Sequence, residues 1–316
     1  MALKMSPIIN SLIIPVYNNE ETLNILVEKI TDISNQLSEN LEVIFTIDGS
    51  PDRSYEILKK ILPKKKFSSK IVLLSKNFGS FNAIRAGLKV ANGKYFAVMA
   101  ADLQEPSDLI LNFFRTLENE PIDVVIGVRD GREDPFFSKI FSNLYWFFYK
   151  KFIIKGTPTG GFDVFGCNRL FRSNLLKLKE TNSSLLSQIL WIGFRRKEIL
   201  YKRLERKLGT SQWTFNKKFT HMMNSIFSFS NFPIKLLMTL GTFGIFFFGI
   251  SGLITVIAKF MGLIKIQGYT SLFLLIGFIG ALYIFSMGLI GSYVWRIYEN
   301  SKARPLSIIL KIDEFN

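Results

Sequence analysis

Two long runs without a charged residue dominate the last third of the chain and limit what it can become. Leu236–Ala258 and Gly268–Trp295 contain no Asp, Glu, Lys or Arg. As helices they would extend about 35 and 42 Å, enough to cross a hydrocarbon core of about 30 Å. Only Lys259–Gln267 separates them. They read as a transmembrane hairpin whose two ends lie on one side. Basic residues flank those ends at Lys217, Lys218, Lys235, Arg296, Lys302 and Arg304, against Lys259 and Lys265 in the connection. Positive charge concentrates on the cytoplasmic side of membrane proteins, which puts both ends there. The competing reading, a pair of buried core helices, is disfavoured because apolar runs this long are rare in soluble domains.

Two earlier segments carry bulky apolar residues at helical spacing. Phe136–Ile154 has Phe137, Ile140, Phe141, Leu144 and Phe148, with Lys139, Lys150 and Lys151 beside them. Phe219–Phe232 has Met222, Met223, Ile226 and Phe227. Both fit helices lying in a membrane interface, and both equally fit helices packed into a domain.

The first two-thirds alternates short apolar runs with amphipathic stretches. Strands are expected at Ser11–Val16, Leu41–Ile47, Ile71–Leu74, Tyr95–Met99 and Val124–Val128. Helices are expected at Glu20–Leu37, Ser54–Leu62, Asn82–Ala91 and Pro106–Leu117. This alternation predicts a mostly parallel α/β sheet covered on both faces. Ligands of such sheets bind beyond the carboxyl ends of the strands. Polar residues gather there: Tyr17, Asn18 and Asn19 after the first strand, Asp48 after the second, Ser75, Lys76 and Asn77 after the third, and Asp102, Gln104 and Glu105 after the fourth. No Walker A pattern and no G-x-G-x-x-G follows the first strand, which argues against the P-loop and dinucleotide-binding folds.

Charge and residue usage narrow the chemistry. Forty basic against 25 acidic residues give a net charge of +15. Such an excess points to an anionic partner, a lipid bilayer or a phosphorylated ligand. No nucleic-acid motif is present, so nucleic acid is not an expected partner. The lone cysteine, Cys167, excludes an intrachain disulfide. The lone histidine, His221, excludes a His-based triad and a multi-His metal site. Ile8–Val16 is too short for a signal-type stretch and runs straight into a polar motif, so the first domain is expected to stay in the cytosol.

Several stretches together carry a family resemblance. They are IIPVYNNEETL (Ile13–Leu23), IDGSPDRS (Ile47–Ser54), LSKNFGSFNAIRAGLKVANGKY (Leu74–Tyr95), ADLQEP (Ala101–Pro106), GGFDVF (Gly160–Phe165), RKLGTSQW (Arg206–Trp213) and GSYVWRIYENSKARP (Gly291–Pro305). In order and spacing they resemble glycosyltransferase family 2, which has the GT-A fold. The similarity is to its polyprenyl-phosphate branch, of the dolichol-phosphate mannose synthase and bactoprenol glucosyltransferase kind.

The resemblance implies an inverting enzyme that moves a sugar from a UDP- or GDP-linked donor to a polyprenyl monophosphate at the cytoplasmic membrane face. By it, Pro15, Tyr17, Glu20, Asp48 and Asn77 would bind the donor. Asp102 and Gln104 would hold a divalent metal, Mg²⁺ or Mn²⁺, on the donor diphosphate. Asp163 is the candidate base or orienting group at the acceptor, beside Asp102 as a catalytic residue. Arg203, Arg206 and Ser211 would clamp the acceptor phosphate, since guanidinium groups match phosphate oxygens. Plainer roles stay open: Asp102 as a helix N-terminal acid, Asp163 as a turn residue, and the arginines as lipid-attracting charges.

Two positions depart from the family pattern. Ile47 and Ala100 stand where acids are usual. They motivate a rival reading as a catalytically weakened or inactive adaptor. A processive polysaccharide synthase is the weaker rival, because Gln188-Ile-Leu-Trp191 does not supply the Gln-x-x-Arg-Trp motif of that class. The expected organisation is a GT-A domain over residues 1–212, with an interfacial segment at 136–154. A juxtamembrane helix at 213–235, a hairpin over 236–295 and a cytoplasmic tail at 296–316 follow. Assembly into a homo-oligomer is left open.

Overall fold

The computed structural model describes residues 9–37, 41–130, 157–158, 162–205, 215–230, 232–261 and 268–315, with some side chains of the last three helices excepted. The proposed interfacial segment at 136–154 lies outside the described residues, as do Arg206 and Ser211.

The strands are β1 Asn10–Val16, β2 Leu41–Ile47, β3 Ser68–Leu74, β4 Tyr95–Val98, β5 Val124–Arg129, β6 Phe162–Asn168, β7 Arg196–Tyr201 and β8 Ile309–Phe315. They form one eight-stranded sheet in the order β7-β5-β6-β4-β1-β2-β3-β8. β1 pairs in parallel with β2 and β4, β2 with β3, and β5 with β7. β6 runs antiparallel between β4 and β5, and β8 antiparallel to β3. The sheet is therefore mostly parallel, as the alternating pattern predicts. The start of β6 and the end of β7 fall at the same edge as the carboxyl ends of β1 to β4.

The helices of the α/β unit are α1 Leu23–Gln36, α2 Ser54–Ile61, α3 Ser80–Val90, α4 Ser107–Asn119, α5 Arg169–Lys177 and α6 Leu185–Trp191. Apolar side chains of α1, α2 and α4, such as Leu26, Leu58 and Phe113, pack with Leu12, Ile14 and Phe45 on one face. Those of α3, α5 and α6, such as Ile84, Phe171 and Ile189, pack with Ile13, Ile44 and Phe96 on the other. Both faces are thus covered, which is why the inner strands read as unbroken apolar runs. Ile47 belongs to the first cluster and is 1% exposed. An acid there would face the core, so its absence leaves the carboxyl edge unchanged.

Three further helices follow: α7 Phe215–Phe229, α8 Phe232–Phe260 and α9 Tyr269–Ser301. At 29 and 33 residues, α8 and α9 contain the two charge-free runs and extend about 44 and 50 Å. Large apolar side chains on them, among them Phe243, Phe246, Ile250, Leu253 and Ile276, are exposed. Over the described residues no helix is long and apolar enough to cross a membrane. Side chains at several positions within both helices lie outside that set.

The segment expected as a tail beyond the hairpin returns to the sheet. β8 pairs with β3 from Ile309 opposite Leu74 to Phe315 opposite Ser69. Ser75 N–H donates to Ile308 O just beyond the strand ends (3.0 Å). The end of α9 is held from a second side: Arg296 donates to Asn182 O (3.1 Å) and Asn224 Oδ1 (3.0 Å), and Thr181 N–H donates to Asn300 Oδ1 (3.1 Å). In α7, Ser228 Oγ donates to Asn182 O (2.7 Å). The helical pair is therefore tied at both ends to the α/β unit.

At the opposite, amino edge Asp123 gathers three strands. It accepts from Arg195 N (3.2 Å), Nε (2.9 Å) and Nη2 (3.1 Å) and from Asn168 Nδ2 (2.8 Å). The Arg195 hydrogen bonds hold its carboxyl below the usual carboxylate range. A depressed pKa contributes stability above the unfolded value, near pH 4, which is lost as pH falls through the folded one. We expect Asp123→Ala to lower the melting midpoint by several degrees at pH 7, with the gap to wild type closing below about pH 4 in thermal melts.

Candidate active site

The loops after β1, β2 and β3 are stitched into one wall. Asn18, at φ 54°, donates its backbone N–H to Ser50 Oγ (2.8 Å). Tyr17 N–H donates to Asn19 Oδ1 (3.0 Å). Asp52 is the hub: it accepts from Glu20 N (3.0 Å), Ser50 Oγ (2.7 Å), Ser54 N (3.2 Å) and Ser54 Oγ (2.9 Å). Burial pushes its pKa up, but these hydrogen bonds outweigh burial and hold it low. Glu20 in turn accepts from Arg53 N (3.0 Å).

Asp48 is 2% exposed and reaches across to the third loop. Its two oxygens accept from Phe78 N (2.7 Å) and Gly79 N (2.9 Å). Burial raises its pKa, and these two N–H groups oppose that rise. Gly49, at φ 58°, makes the approach feasible, because a Cβ there would stand 2.3 Å from the Lys76 carbonyl carbon. Asn77 is exposed beside this clamp and its Oδ1 accepts from Gly79 N (3.1 Å). Pro15, opposite Thr46 in the β1–β2 ladder, is half-buried just inside the wall. The residues expected at the donor thus share one edge, with Asp48 occupied in holding the loop that carries Asn77.

A second group lies beyond β4, β5, β6 and β7. Asp102 sits in the turn after β4, where Leu103 adopts φ 64°. One Asp102 oxygen accepts from Gln104 N (3.3 Å), and the other lies 3.7 Å from Arg203 Nη2. Gln104 pairs twice with Leu204: its Nε2 donates to Leu204 O (3.1 Å) and its carbonyl accepts from Leu204 N (2.9 Å). Asp163, at the start of β6, accepts from Tyr201 Oη (2.8 Å) and from the Arg129 guanidinium. Thr22 joins the two groups, its Oγ1 lying 2.8 Å from Ala101 O and 3.0 Å from Asn19 O.

Glu105 completes this centre. It is 1% exposed, and its Oε2 accepts from Ala100 N (3.2 Å). Burial pushes its pKa up to about 8, aided by the charges of Asp102 and Asp163 and opposed by Arg203 and the Ala100 N–H. A buried carboxyl therefore sits against Ala100, at the position where the family pattern has an acid. Burial lowers the pKa of Lys29, against the pull of Glu105 and Asp102, and its Nζ donates to Glu105 O.

Sequence reasoning placed Asp102 and Gln104 at this edge and named Asp163 and Arg203 only as acceptor residues, and the fold gathers all four. It assigned no role to Glu105, Arg129, Tyr201 or Asp52. Glu105 precedes a proline and reads as a helix-entry residue. Arg129 and Tyr201 meet Asp163 only through strand pairings far apart in sequence.

Known proteins decide what this arrangement belongs to. The family model described as "Glycosyl transferase family 2" matches residues 11–178. The chain belongs to glycosyl transferase family 2. It is a glycosyltransferase of GT-A-like fold. An undecaprenyl-phosphate 4-deoxy-4-formamido-L-arabinose transferase of Photorhabdus laumondii is 34% identical over 310 residues, covering 96% of this chain and 93% of that one. A protein of the same name from Proteus mirabilis is 33% identical over 310 residues, with the same coverage. Among solved structures, a mannosyltransferase of Pyrobaculum calidifontis in complex with GDP-Man and Mn²⁺ superposes with a TM-score of 0.47 at 17% identity, over 62% of this chain and 56% of that one.

Among the described residues no group of three or more Asp, Glu, His or Cys side chains converges as a metal cage. Mg²⁺ is commonly held by one or two carboxylates plus substrate phosphates, and the Asp102–Gln104 turn fits that kind of site.

Glu105 carries more protons folded than unfolded between about pH 4.5 and 8, so wild-type stability is expected to fall as pH rises through that window. In EDTA, Glu105→Gln should melt close to wild type at pH 7 and above it at pH 9. Equal displacement of both melting curves at the two pH values would contradict a protonated Glu105.

Proposed function

We propose that the chain transfers a sugar from a nucleotide-sugar to a polyprenyl monophosphate at a membrane surface, with inversion at the anomeric carbon. The observation that carries this reading is the return of α9 to the sheet. Ile308 and Ile309 join β3 at Leu74 and Ser75, on the edge that carries Asp102 and Asp163. A pair of spans attached at that edge would bring a lipid phosphate and a soluble donor to one place. The charge-free runs of α8 and α9 support reading them as a hairpin with both ends cytoplasmic. The undecaprenyl-phosphate specificity named for the Photorhabdus and Proteus relatives supports the lipid acceptor.

In this reading an acceptor phosphate oxygen attacks the anomeric carbon as the bond from that carbon to the donor diphosphate breaks. Products are a polyprenyl-phosphate sugar and a nucleoside diphosphate. A phosphate monoester is already ionised near neutral pH, so no strong base is required. Asp163, fixed by Tyr201 and Arg129, would orient the acceptor or stabilise positive charge at the sugar carbon. Arg203 would meet phosphate, together with Arg206 and Ser211. Tyr17, Glu20 and Asn77 would line the donor pocket, with Pro15 shaping it and Asp48 holding its third loop. Asp102 and Gln104 would hold a divalent cation, which when bound neutralises charge on the leaving diphosphate. Alignment of two bound substrates supplies much of the rate.

The test incubates purified chain with labelled UDP- or GDP-sugars, polyprenyl phosphate and Mn²⁺. We expect a single lipid-linked sugar. Long polymer would identify a processive synthase, and no product with any donor would identify an adaptor. Asp102→Ala should reduce transfer by roughly a hundredfold or more while flotation with vesicles is unchanged. Full transfer by that variant would remove Asp102 from the mechanism.

A further inference from the structure

Where α9 leaves its charge-free run, it meets α7 and the connection before α6 around a cavity of about 550 Å³. One wall is bare of side chains. Gly288 and Gly291 are three residues apart on α9, hence on one face, and nothing stands within 4 Å of where a Cβ would sit on either. Phe227 of α7 adds apolar surface. The other end is polar, formed by Asn182, Asn224 and Arg296.

Among the described residues, Arg296 is the only charged one lining this cavity. It donates to Asn182 O and Asn224 Oδ1, and its guanidinium lies 4.9 Å from the Phe227 ring centre. A guanidinium has five N–H donors, so these two bonds leave three. All of these partners are neutral, and no carboxylate acts on Arg296 among the described residues. A half-buried cation with neutral neighbours, opening on a cavity, favours an anion there. Asn224 spends its oxygen on Arg296, which leaves its amide N–H₂ as a donor for the same anion. Trp295 and Tyr298 are exposed beside it, with Lys302 Nζ 5.4 and 4.2 Å from their ring centres. Aromatic rings with adjoining cations mark headgroup depth.

We propose that this cavity seats an anionic phospholipid, its phosphate on Arg296 and Asn224 and an acyl chain against the Gly288–Gly291 wall. Charge complementarity selects the headgroup, and the bare apolar wall selects a chain. Its lining shares no residue with the sugar-transfer centre, and Arg296 bonds to the 181–182 connection and α7. The inference rests on reading α8 and α9 as membrane spans. Its consequence is that a bilayer lipid braces α7 and α9 against the catalytic unit.

The experiment titrates the full chain in mild detergent with phosphatidylglycerol or phosphatidylcholine and counts retained lipids by native mass spectrometry. Wild type should retain phosphatidylglycerol over phosphatidylcholine by about fivefold, the preference expected of one basic residue at a headgroup. Arg296→Gln should remove that preference. Gly291→Leu keeps every Arg296 contact, adds a good helix former where space is open, and should also cut retention about fivefold by filling the chain seat. Equal retention of the two lipids by wild type, or undiminished retention by Gly291→Leu, would overturn the proposal. One-for-one displacement of phosphatidylglycerol by a polyprenyl phosphate would also overturn it, by assigning the cavity to the acceptor. Vesicle flotation separates the two levels: a chain that does not float refutes the membrane reading itself, whereas one that floats without lipid preference refutes only this site.

Discussion

The antiparallel pairing of β8 with β3 governs how everything else is arranged. The chain leaves the α/β unit through α7, runs through two helices with exposed apolar surfaces, and comes back to hydrogen-bond at Leu74 and Ser75. A chain that departs from and returns to one sheet crosses any bilayer an even number of times. The pairing also sets which edge faces the helices. β8 enters the sheet at its carboxyl edge, so the helical pair and the polar loops share one end of the molecule. The 181–182 connection grips α7 and α9 through Ser228 and Arg296, which makes the attachment two-sided.

At that edge the electrostatics are arranged around three carboxyl groups. Burial raises the pKa of Glu105, the charges of Asp102 and Asp163 add to that rise and Arg203 opposes it, while Arg129 pairs with Asp163 and Lys29 donates to Glu105 O. The result is a site with acid and cation interleaved. Glu105 bears on the question raised by Ala100. Its carboxyl accepts the Ala100 N–H, so a buried carboxyl lies against that position. Ile47 is simpler, since its side chain packs into the core.

Much of the first half was legible because its signals are local. Leu41–Ile47 matched β2, and the Leu23, Leu26, Val27 and Ile30 face matched α1, with differences at element ends, as at β3, which begins at Ser68 rather than Ile71. Strand-end positions likewise placed Asp48, Asn77, Asp102 and Gln104 on one edge. What escaped depends on distant partners. Strands β6 and β7 are fixed by pairing with β4 and β5, and β8 by pairing with a strand more than 200 residues earlier, which no periodicity encodes. The seven residues of β8 alternate poorly and include Lys311, Asp313 and Glu314, the mark of an edge strand that meets solvent. Asp48 was legible as a site residue, but not as the clamp on Phe78 and Gly79.

The central claim is that the carboxyl edge of the sheet faces the bilayer. Depth measurement tests it most directly. Cys167 is fully buried, so single labels at Lys76→Cys, on the carboxyl edge, and Lys94→Cys, on the amino edge, report without background. With the chain in vesicles carrying a paramagnetic headgroup lipid, the account requires strong relaxation of a spin label at position 76 and little at 94. Equal relaxation at the two positions, or a stronger effect at 94, would contradict it.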